Sequence, residues 1–319
     1  MRLATLKTDR PDGRLVVLAA DGACVADASG VAATLQDALE RWSAVEAPLR
    51  ALAAGSAGWT PLDPSQLRAP LPRAWQWLDG SAFDCHGELM DKVFGITVDK
   101  AGRTLMYQGV SDQFLGPNDD VAMPGEDLGI DFEGEFGVIV DEVPMGTSAA
   151  DAHRHIKLIV QINDWSLRAL AGAEMKTGFG WIQAKPPCSM APFAVTPDEL
   201  GPQWRNGRVC MDLHVDWNGK RFGAANGEPM SVGFHDLVAH AARTRKLVAG
   251  TVIGSGTVSN ENYRDIGSSC IAERRGIEMV DEGKPRTDFM RFGDRVRMEG
   301  VTADGRGPFG VIDQKVIAA

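Results

Sequence analysis

The chain has 319 residues and a formal charge of −10 at pH 7, with a sequence pI near 5.1. This acidic balance excludes an ordinary nucleic-acid binder, which carries a basic face, and no run of about eighteen apolar residues predicts a membrane span. The first residues soon turn polar without a signal-peptide core, and the five cysteines are scattered with no CxxC pair. We therefore expect a cytoplasmic protein with reduced thiols and no structural zinc.

The first fifty residues alternate short apolar runs with turns and then enter a helical pattern. Val31, Leu35, Leu39 and Trp42 recur there at helical spacing. Residues 53–73 follow with four prolines and little periodicity, which is typical of a linker. We predict a small N-terminal domain at 1–55, a linker at 56–73 and a larger domain at 74–319.

The larger domain is strand-rich in its pattern. Strand-like runs include EFGVIVDE, KLIVQIND and LVAGTVIGSG, while helical patterns are fewer and fall at 148–156 and 234–247. Many short strands joined by glycine-rich turns favour a folded-over or closed β architecture over a doubly wound sheet.

Two glutamates stand side by side in the strand-like run at 130–142. Because a strand has a period of two, Glu133 and Glu135 share one face, while Phe132, Phe136, Val138 and Val140 form an apolar stripe on the other. The carboxylates repel each other unless they are solvated, one is protonated, or a cation lies between them. A solvated edge strand is the plain alternative to a divalent-cation site. Gly134 predicts close packing behind the pair.

Other titratable side chains lie at strand ends and in loops. Asp164 follows a strand, either as the N-cap of a helix with Arg168 as its i+4 neighbour or as a third carboxylate beside a guanidinium. His86 follows Asp79 in a segment dense in charges. A structural or exposed histidine is the plain alternative, and a general base held by a carboxylate is the functional one. Lys185 precedes two prolines, so a solvated loop is its default.

The run VIGSGTVS lacks the third glycine and following helix of a dinucleotide fingerprint and the lysine of a P-loop, so we exclude nucleotide binding there. A tight turn that offers backbone N–H groups to an anion remains as its alternative function.

Segments spanning roughly residues 75–315 resemble the catalytic C-terminal domain of the fumarylacetoacetate hydrolase family. In the family's order, they are DGSAFDCH, LMYQGVSD, GIDFEGEFGVIV, INDWSLRAL, GFGWIQAKP, IGSGTVS and GSSCIAE. The resemblance implies a mixed, β-rich α/β fold, namely a β-roll of folded-over sheets with few helices around a divalent ion. A small N-terminal β/α unit precedes it, and the family is usually dimeric.

The resemblance also implies roles for individual residues. The implied metal ligands are Glu133, Glu135, Asp164 and Asp79, the last matching a fourth carboxylate of fumarylacetoacetase. The implied catalytic residues are His86 as general base, Glu88 or Glu273 as its carboxylate partner, and Lys185. The implied substrate contacts are Arg168, Tyr107, Thr257 and also Lys185.

The chain also departs from fumarylacetoacetase. Ala171 or a neighbour stands where that enzyme has a glutamine, Ser81 stands in place of a tyrosine, and extra residues follow the GSGT run. The metal and base positions are kept, so we expect the same chemistry in a different substrate pocket.

The implied function is a metal-dependent hydrolase that cleaves a C–C bond in a 2-oxo or 1,3-dicarbonyl acid. The expected ion is Mg²⁺, with Mn²⁺ or Ca²⁺ as alternatives, and the expected partners are a small oxo acid and a second copy of the chain, with no nucleic acid or membrane. The same metal chemistry supports decarboxylases, hydratases and isomerases of 2-oxo acids. A third alternative is a non-catalytic metal-binding protein.

Overall fold

The computed structural model describes residues 1–55, 58–94 and 104–319, and all elements below belong to these ranges. The strands are β1 (Arg2–Leu6), β2 (Arg14–Leu18), β3 (Cys24–Asp27), β4 (Trp59–Pro61), β5 (Trp77–Gly80), β6 (Met106–Gly109), β7 (Val121–Met123), β8 (Ile130–Asp131), β9 (Gly134–Val140), β10 (Ile156–Asn163), β11 (Ser166–Leu167), β12 (Ser189–Met190), β13 (Ala194–Val195), β14 (Trp204–Arg205), β15 (Arg208–Val209), β16 (Asp212–Trp217), β17 (Lys220–Asn226), β18 (Val252–Gly254), β19 (Arg295–Val301) and β20 (Val311–Ala318). The α-helices are α1 (Leu35–Glu40), α2 (Trp42–Ala54), α3 (Asp84–Phe94), α4 (Ala149–Ala152), α5 (Arg168–Thr177), α6 (Pro197–Leu200), α7 (Phe234–Ala241), α8 (Tyr263–Ile266) and α9 (Ile271–Glu282). The prediction of a mixed, β-rich α/β fold with few helices is confirmed.

Two sheets carry most of the strands. The larger runs in the order β4-β3-β2-β1-β13-β10-β9-β18-β5-β6, with β12 paired to β10, and the smaller runs in the order β17-β16-β19-β20-β7. Neighbours pair antiparallel except β18 with β5 and β20 with β7. The candidate site is built on β10, β9, β18 and β5, which lie next to one another in the larger sheet.

The central strand β9 is covered on both faces. On one side Phe136 and Val138 belong to a buried cluster that also holds Leu213 and Val215 from the smaller sheet. On the other side Ile139 belongs to a second cluster, which includes apolar side chains of α1 and α2. A fully buried Phe or Ile contributes roughly 1.5–3 kcal/mol, so this double cover fixes the strand in place.

The predicted apolar stripe is confirmed, because Phe132, Phe136, Val138 and Val140 all lie in the first cluster. The predicted close packing at Gly134 is also confirmed. A Cβ added there would lie 2.8 Å from Leu213 Cδ2 and 3.4 Å from Val215 Cγ2. The strand comes that near the smaller sheet only because this residue has no side chain.

The N-terminal strands continue the larger sheet, because β1 pairs with β13. The segment predicted as a linker carries β4, which pairs with β3, and its residues Leu67 and Leu71 are buried. The chain from residue 58 to residue 73 therefore packs against its neighbours. The exact division at residues 55 and 73 stays a proposal.

The helical patterns at 31–42, 148–156 and 234–247 correspond to α1 with α2, to α4 and to α7. The helices α3 and α9 were not predicted, and a helix near α5 was considered only as the alternative in which Asp164 is its N-cap. All three helices carry or adjoin candidate site residues. None of the helices in the described ranges has the length and apolar character needed to cross a bilayer.

Candidate metal and catalytic site

Three carboxylates from separate strands converge in the interior. Asp79 lies on β5, Glu135 lies on β9 and Asp164 directly follows β10. Each offers an oxygen within 4.8 Å of the others, and all three side chains are buried. Of the four predicted metal ligands, the structure brings these three into one group.

The glycine-rich run after β18 packs against Asp79. Gly254 pairs with Asp79 on one side and with Gly137 on the other, and a Cβ added to Gly254 would lie 2.5 Å from Asp79 Oδ1. Gly256 donates its backbone N–H to the same oxygen at 2.9 Å. The turn predicted to offer N–H groups to an anion thus offers one to a carboxylate of the chain itself.

Glu135 is the least satisfied member of the group. Its side chain is fully buried, and neither carboxylate oxygen has a hydrogen-bond partner among the described residues. Burial, reinforced by the charges of Asp79 and Asp164, raises the pKa of Glu135 well above its ordinary value. Burial and Asp164 likewise raise the pKa of Asp79 to about 8. Unpartnered buried oxygens beside other carboxylates are the donor set that a hard divalent cation takes, so these residues fit one.

Lys185 links two of the predicted ligands. Its Nζ donates to Asp164 Oδ2 at 2.6 Å and to Glu133 Oε1 at 2.9 Å, and the side chain is 7% exposed. The solvated-loop alternative for Lys185 is therefore wrong. Burial alone would lower the pKa of the ammonium, but Asp164 and Glu133 outweigh it and hold the pKa above its usual value.

Glu133 faces cations rather than the group of three carboxylates. Arg168 Nη2 lies 2.7 Å from its Oε1, the same oxygen that Lys185 contacts, and Thr257 donates to its Oε2 at 2.6 Å. Burial would raise the pKa of Glu133, but Arg168 and Lys185 lower it below its ordinary value. In this structure Glu133 is the ionised partner of two cations.

Asp164 is surrounded by donors. Besides Lys185, it accepts from the Tyr107 hydroxyl at 2.6 Å and from the Cys188 thiol at 2.9 Å. The Tyr107 ring packs edge-on against Trp181, with centroids 4.8 Å apart. The alternative that Asp164 caps a helix is wrong, because α5 begins at Arg168 and Leu167 occupies its cap position.

His86 lies beside a buried glutamate. On α3, its Nδ1 is 3.4 Å from Oε1 of Glu273, which lies fully buried in the first turn of α9. Ser259 also donates to that oxygen. Glu88, the other predicted partner, is exposed on α3. The geometry therefore favours Glu273 as the carboxylate that orients His86.

Asp131 is a buried residue that the sequence did not single out. Its carboxylate accepts from Arg168 Nε at 2.8 Å and from the backbone N–H groups of Ile271 at 2.7 Å and Ala272 at 2.9 Å. Burial raises its pKa. The only signal was an aspartate inside an apolar run, which a turn would explain equally well. Cys188 was missed because an isolated cysteine gives no pattern.

Comparisons with known proteins identify the family of the chain and its fold. Residues 77–317 match the family model described as fumarylacetoacetate (FAA) hydrolase C-terminal, and residues 1–73 match fumarylacetoacetase N-terminal domain 2. The fold predicted from the resemblance, with its small N-terminal unit, is thereby confirmed.

Among similar proteins, 2,4-didehydro-3-deoxy-L-rhamnonate hydrolase of Sphingomonas sp. (strain SKA58) is 29% identical over 157 residues, 48% of this chain and 52% of the relative. Human mitochondrial oxaloacetate tautomerase FAHD2A is 24% identical over 161 residues, 48% of each chain. The chain thus spans about half the length of the curated relatives it matches. Maleylpyruvate hydrolase from Sphingobium sp. SYK-6, in complex with manganese(II) and pyruvate, superposes over 100% of both chains with a TM-score of 0.67 and 17% identity.

Proposed function

Because the chain belongs to the fumarylacetoacetate hydrolase family, we propose that it is a divalent-metal-dependent hydrolase. Its substrate would be a 2-oxo or 1,3-dicarbonyl acid, of the fumarylacetoacetate or acylpyruvate type, cleaved at a C–C bond. The observation that carries the proposal is the group of three buried carboxylates in which both oxygens of Glu135 lack a partner among the described residues. The manganese and pyruvate in the maleylpyruvate hydrolase structure support it.

The charge balance also supports a cation. Five of the described buried carboxylates lie around two cationic side chains, Lys185 and Arg168. Asp131, Glu133 and Asp164 pair with these cations, and Asp79 and Glu135 lie beside Asp164. Two positive charges leave this set negative unless protons or a dication make up the difference. Mg²⁺ is the proposed ion, with Mn²⁺ or Ca²⁺ as alternatives, since all three take oxygen ligands.

Glu135, Asp164 and Asp79 would hold the ion. Glu133 would join them through Oε2, for which Thr257 is the hydrogen-bond donor in this structure. When bound, the ion supplies Lewis-acid polarisation of the carbonyl oxygens of the substrate.

The remaining residues would bind and move protons. Glu273 orients His86 through Nδ1, so Nε2 is the atom that would take a proton from the attacking water. Lys185 and Arg168 would offset negative charge that develops on the substrate, with Tyr107 and Thr257 as further contacts. Water adds to the carbonyl carbon, the adjacent C–C bond breaks, and the released carbon takes up a proton. The products are two acids: an acylpyruvate gives a carboxylic acid and the 2-oxo acid pyruvate, whereas a substrate of the fumarylacetoacetate type gives an unsaturated dicarboxylic acid and a 3-oxo acid.

A second candidate is a decarboxylase, hydratase or isomerase of 2-oxo acids, with tautomerases counted among the isomerases. The similarity to human oxaloacetate tautomerase favours it. By the resemblance, Ser81 and Ala171 or a neighbour stand where fumarylacetoacetase has a tyrosine and a glutamine, which agrees with a different substrate pocket. The homodimer and the cytoplasmic location expected from the sequence are also kept as proposals. Light scattering of the purified protein tests the first of them.

Product analysis tests the function. Incubation with acylpyruvates and Mg²⁺ should yield a carboxylic acid and pyruvate, whereas pyruvate with CO₂ from oxaloacetate, or keto–enol exchange alone, would support the second candidate. His86→Gln should lower kcat by about 10²–10⁴ and leave metal binding intact. If His86→Gln binds metal and turns over 2-oxo acids as fast as wild type, the proposed role of His86 as the base fails. If the wild type turns over no 2-oxo acid, the catalytic proposal itself fails.

A further inference from the structure

One buried carboxylate outside the group of three contacts both Arg168 and the helix that carries Glu273. Asp131 ends β8 and is fully buried. Its Oδ1 accepts from Ile271 N–H, and its Oδ2 accepts from both Ala272 N–H and Arg168 Nε, at 2.7–2.9 Å. A single side chain thus connects the start of α9 with the start of α5.

The first connection sets the position of Glu273. The carboxylate of Asp131 binds two of the free N–H groups at the N-terminus of α9, where a negative charge also interacts favourably with the helix dipole. Glu273 is the next residue after Ala272, and its own N–H is held by Cys270 Sγ at 3.3 Å. The turn that aims Glu273 at His86 is therefore fastened to Asp131.

The second connection sets the plane of Arg168. A guanidinium is rigid and planar, so a bond that fixes Nε also fixes the direction of the other nitrogens. With Nε held by Asp131, Nη2 lies 2.7 Å from Glu133 Oε1. The Arg168 side chain is 22% exposed, so it keeps access to a ligand while its orientation is set from the buried side.

We propose that Asp131 is a positioning residue that holds the His86–Glu273 pair and the Arg168 guanidinium in one fixed relationship. This inference rests on the proposed function, because the pair acts on water and the guanidinium on the substrate anion. Asp131 itself is fully buried and would contact neither the water nor the substrate. Its effect would be to keep His86 and the Arg168 guanidinium at a fixed distance and orientation during turnover. A general loss of stability would not reproduce the effect of losing that alignment.

The test compares Asp131→Asn with a matched buried control, Gln161→Met. The amide of Gln161 also holds two backbone groups, donating to Met298 O at 3.1 Å and accepting from Gly300 N at 2.5 Å, but it joins the two sheets rather than site residues. Both variants should melt at lower temperature than wild type. Only Asp131→Asn should also raise KM and lower kcat, each by roughly tenfold or more, since hydrogen bonds to charged groups are lost.

A second measurement does not depend on turnover. The ¹⁵N chemical shifts of the His86 ring report which nitrogen carries the proton, and Asp131→Asn should move them while Gln161→Met should not. If Asp131→Asn does not fold, Asp131→Glu, which displaces the carboxylate by one methylene, should give the same change. Shifts and kinetics equal to those of Gln161→Met would overturn the proposal. Absence of turnover in wild type would refute the proposed function, and the ¹⁵N shifts would still decide the role of Asp131.

Discussion

The ammonium nitrogen of Lys185 lies 2.6 Å from Oδ2 of Asp164 in the protein interior. The same nitrogen lies 2.9 Å from Glu133 Oε1, so one buried cation links two carboxylates that the family resemblance implies as metal ligands. Glu135 has no such partner among the described residues. The carboxylates of this site therefore differ in how much compensating positive charge the protein gives them.

Metal binding should depend on Glu135 above all. Mg²⁺ or Mn²⁺ at one hundred times its Kd adds about 2.7 kcal/mol to the free energy of unfolding, so the melting temperature of wild type should rise. Glu135→Gln removes the charge of the unpartnered ligand and should abolish the rise.

Two further variants serve as references for the same thermal-shift measurement. Glu299→Gln, whose carboxylate pairs with Arg297 in the smaller sheet, should keep the full rise. Glu133→Gln should show a smaller rise if Glu133 completes the ligand set, and an undiminished rise in this variant would exclude Glu133 from the set. An undiminished rise in the double variant Glu133→Gln with Glu135→Gln would rule out the carboxylate site.

Loss of the Lys185 ammonium should make the protein more dependent on metal. Lys185→Met leaves Glu133 and Asp164 without their shared cation, and breaking a buried ion pair costs about 3–5 kcal/mol. The metal-free variant should melt well below wild type. Because a dication then compensates more negative charge, Mg²⁺ should raise its melting temperature by more than it raises that of wild type. An equal or smaller rise would contradict this electrostatic account.

Metal binding should release protons near neutral pH. Burial and Asp164 raise the pKa of Asp79 to about 8, so at pH 7 this carboxyl is largely protonated until a cation displaces the proton. Calorimetric titration with Mg²⁺ in two buffers of different ionisation enthalpy measures the release. Asp79→Asn should reduce it, and heats that do not depend on the buffer would refute the prediction.

The same shift fixes the sign of a pH effect on stability. The folded-state pKa of Asp79 lies above the unfolded value of about 3.9, so its contribution is fully present below pH 4. It is lost as pH rises through about 8. Denaturant unfolding of metal-free protein should show this loss, and Asp79→Asn should flatten it.

Close packing behind the site gives a prediction about stability alone. Gly134→Ala would place a Cβ 2.8 Å from Leu213 Cδ2, and overpacking of a core costs typically about 1–3 kcal/mol. Gly172→Ala is the matched control, because Gly172 lies in α5 and, apart from its neighbours and its own helix backbone, no atom of the described residues lies within 4 Å of the added Cβ. That change should stabilise the helix by roughly 0.5–1 kcal/mol. Equal effects of the two substitutions on chemical denaturation would contradict the packing argument.

Local pattern predicted some features of this protein well and others not at all. The period of two in β9 placed Phe136 and Val138 on the core side and drew attention to Glu135, because strand periodicity is a property of the backbone. Whether Glu135 met solvent or other carboxylates depended on the pairing of β18 with β5, which brings Asp79 alongside it. That contact joins residues far apart in sequence, so no local pattern encodes it.

The surroundings of Glu133 and Lys185 differ from those expected from the sequence for a similar reason. A lysine before two prolines looks like a surface residue, and only the folded chain shows Nζ buried between two carboxylates. The helices α3 and α9 were missed because each contains a glycine and mixes polar and apolar residues in nearly equal numbers. Their tertiary contact with each other brings His86 to Glu273.

The pairing of β1 with β13 has a practical consequence for anyone dissecting the molecule. If the chain were cut after residue 73, β13 would lose its pairing with β1 and become an edge strand. Only the short β13 would then separate solvent from β10, the strand that leads to Asp164. The apolar faces of Ile139 and Leu158 would lose their helical cover as well. Uncovered edges of this kind recruit other chains, so the larger part expressed alone should aggregate. Engineering of this protein should accordingly treat residues 1–73 as a built-in solubility element.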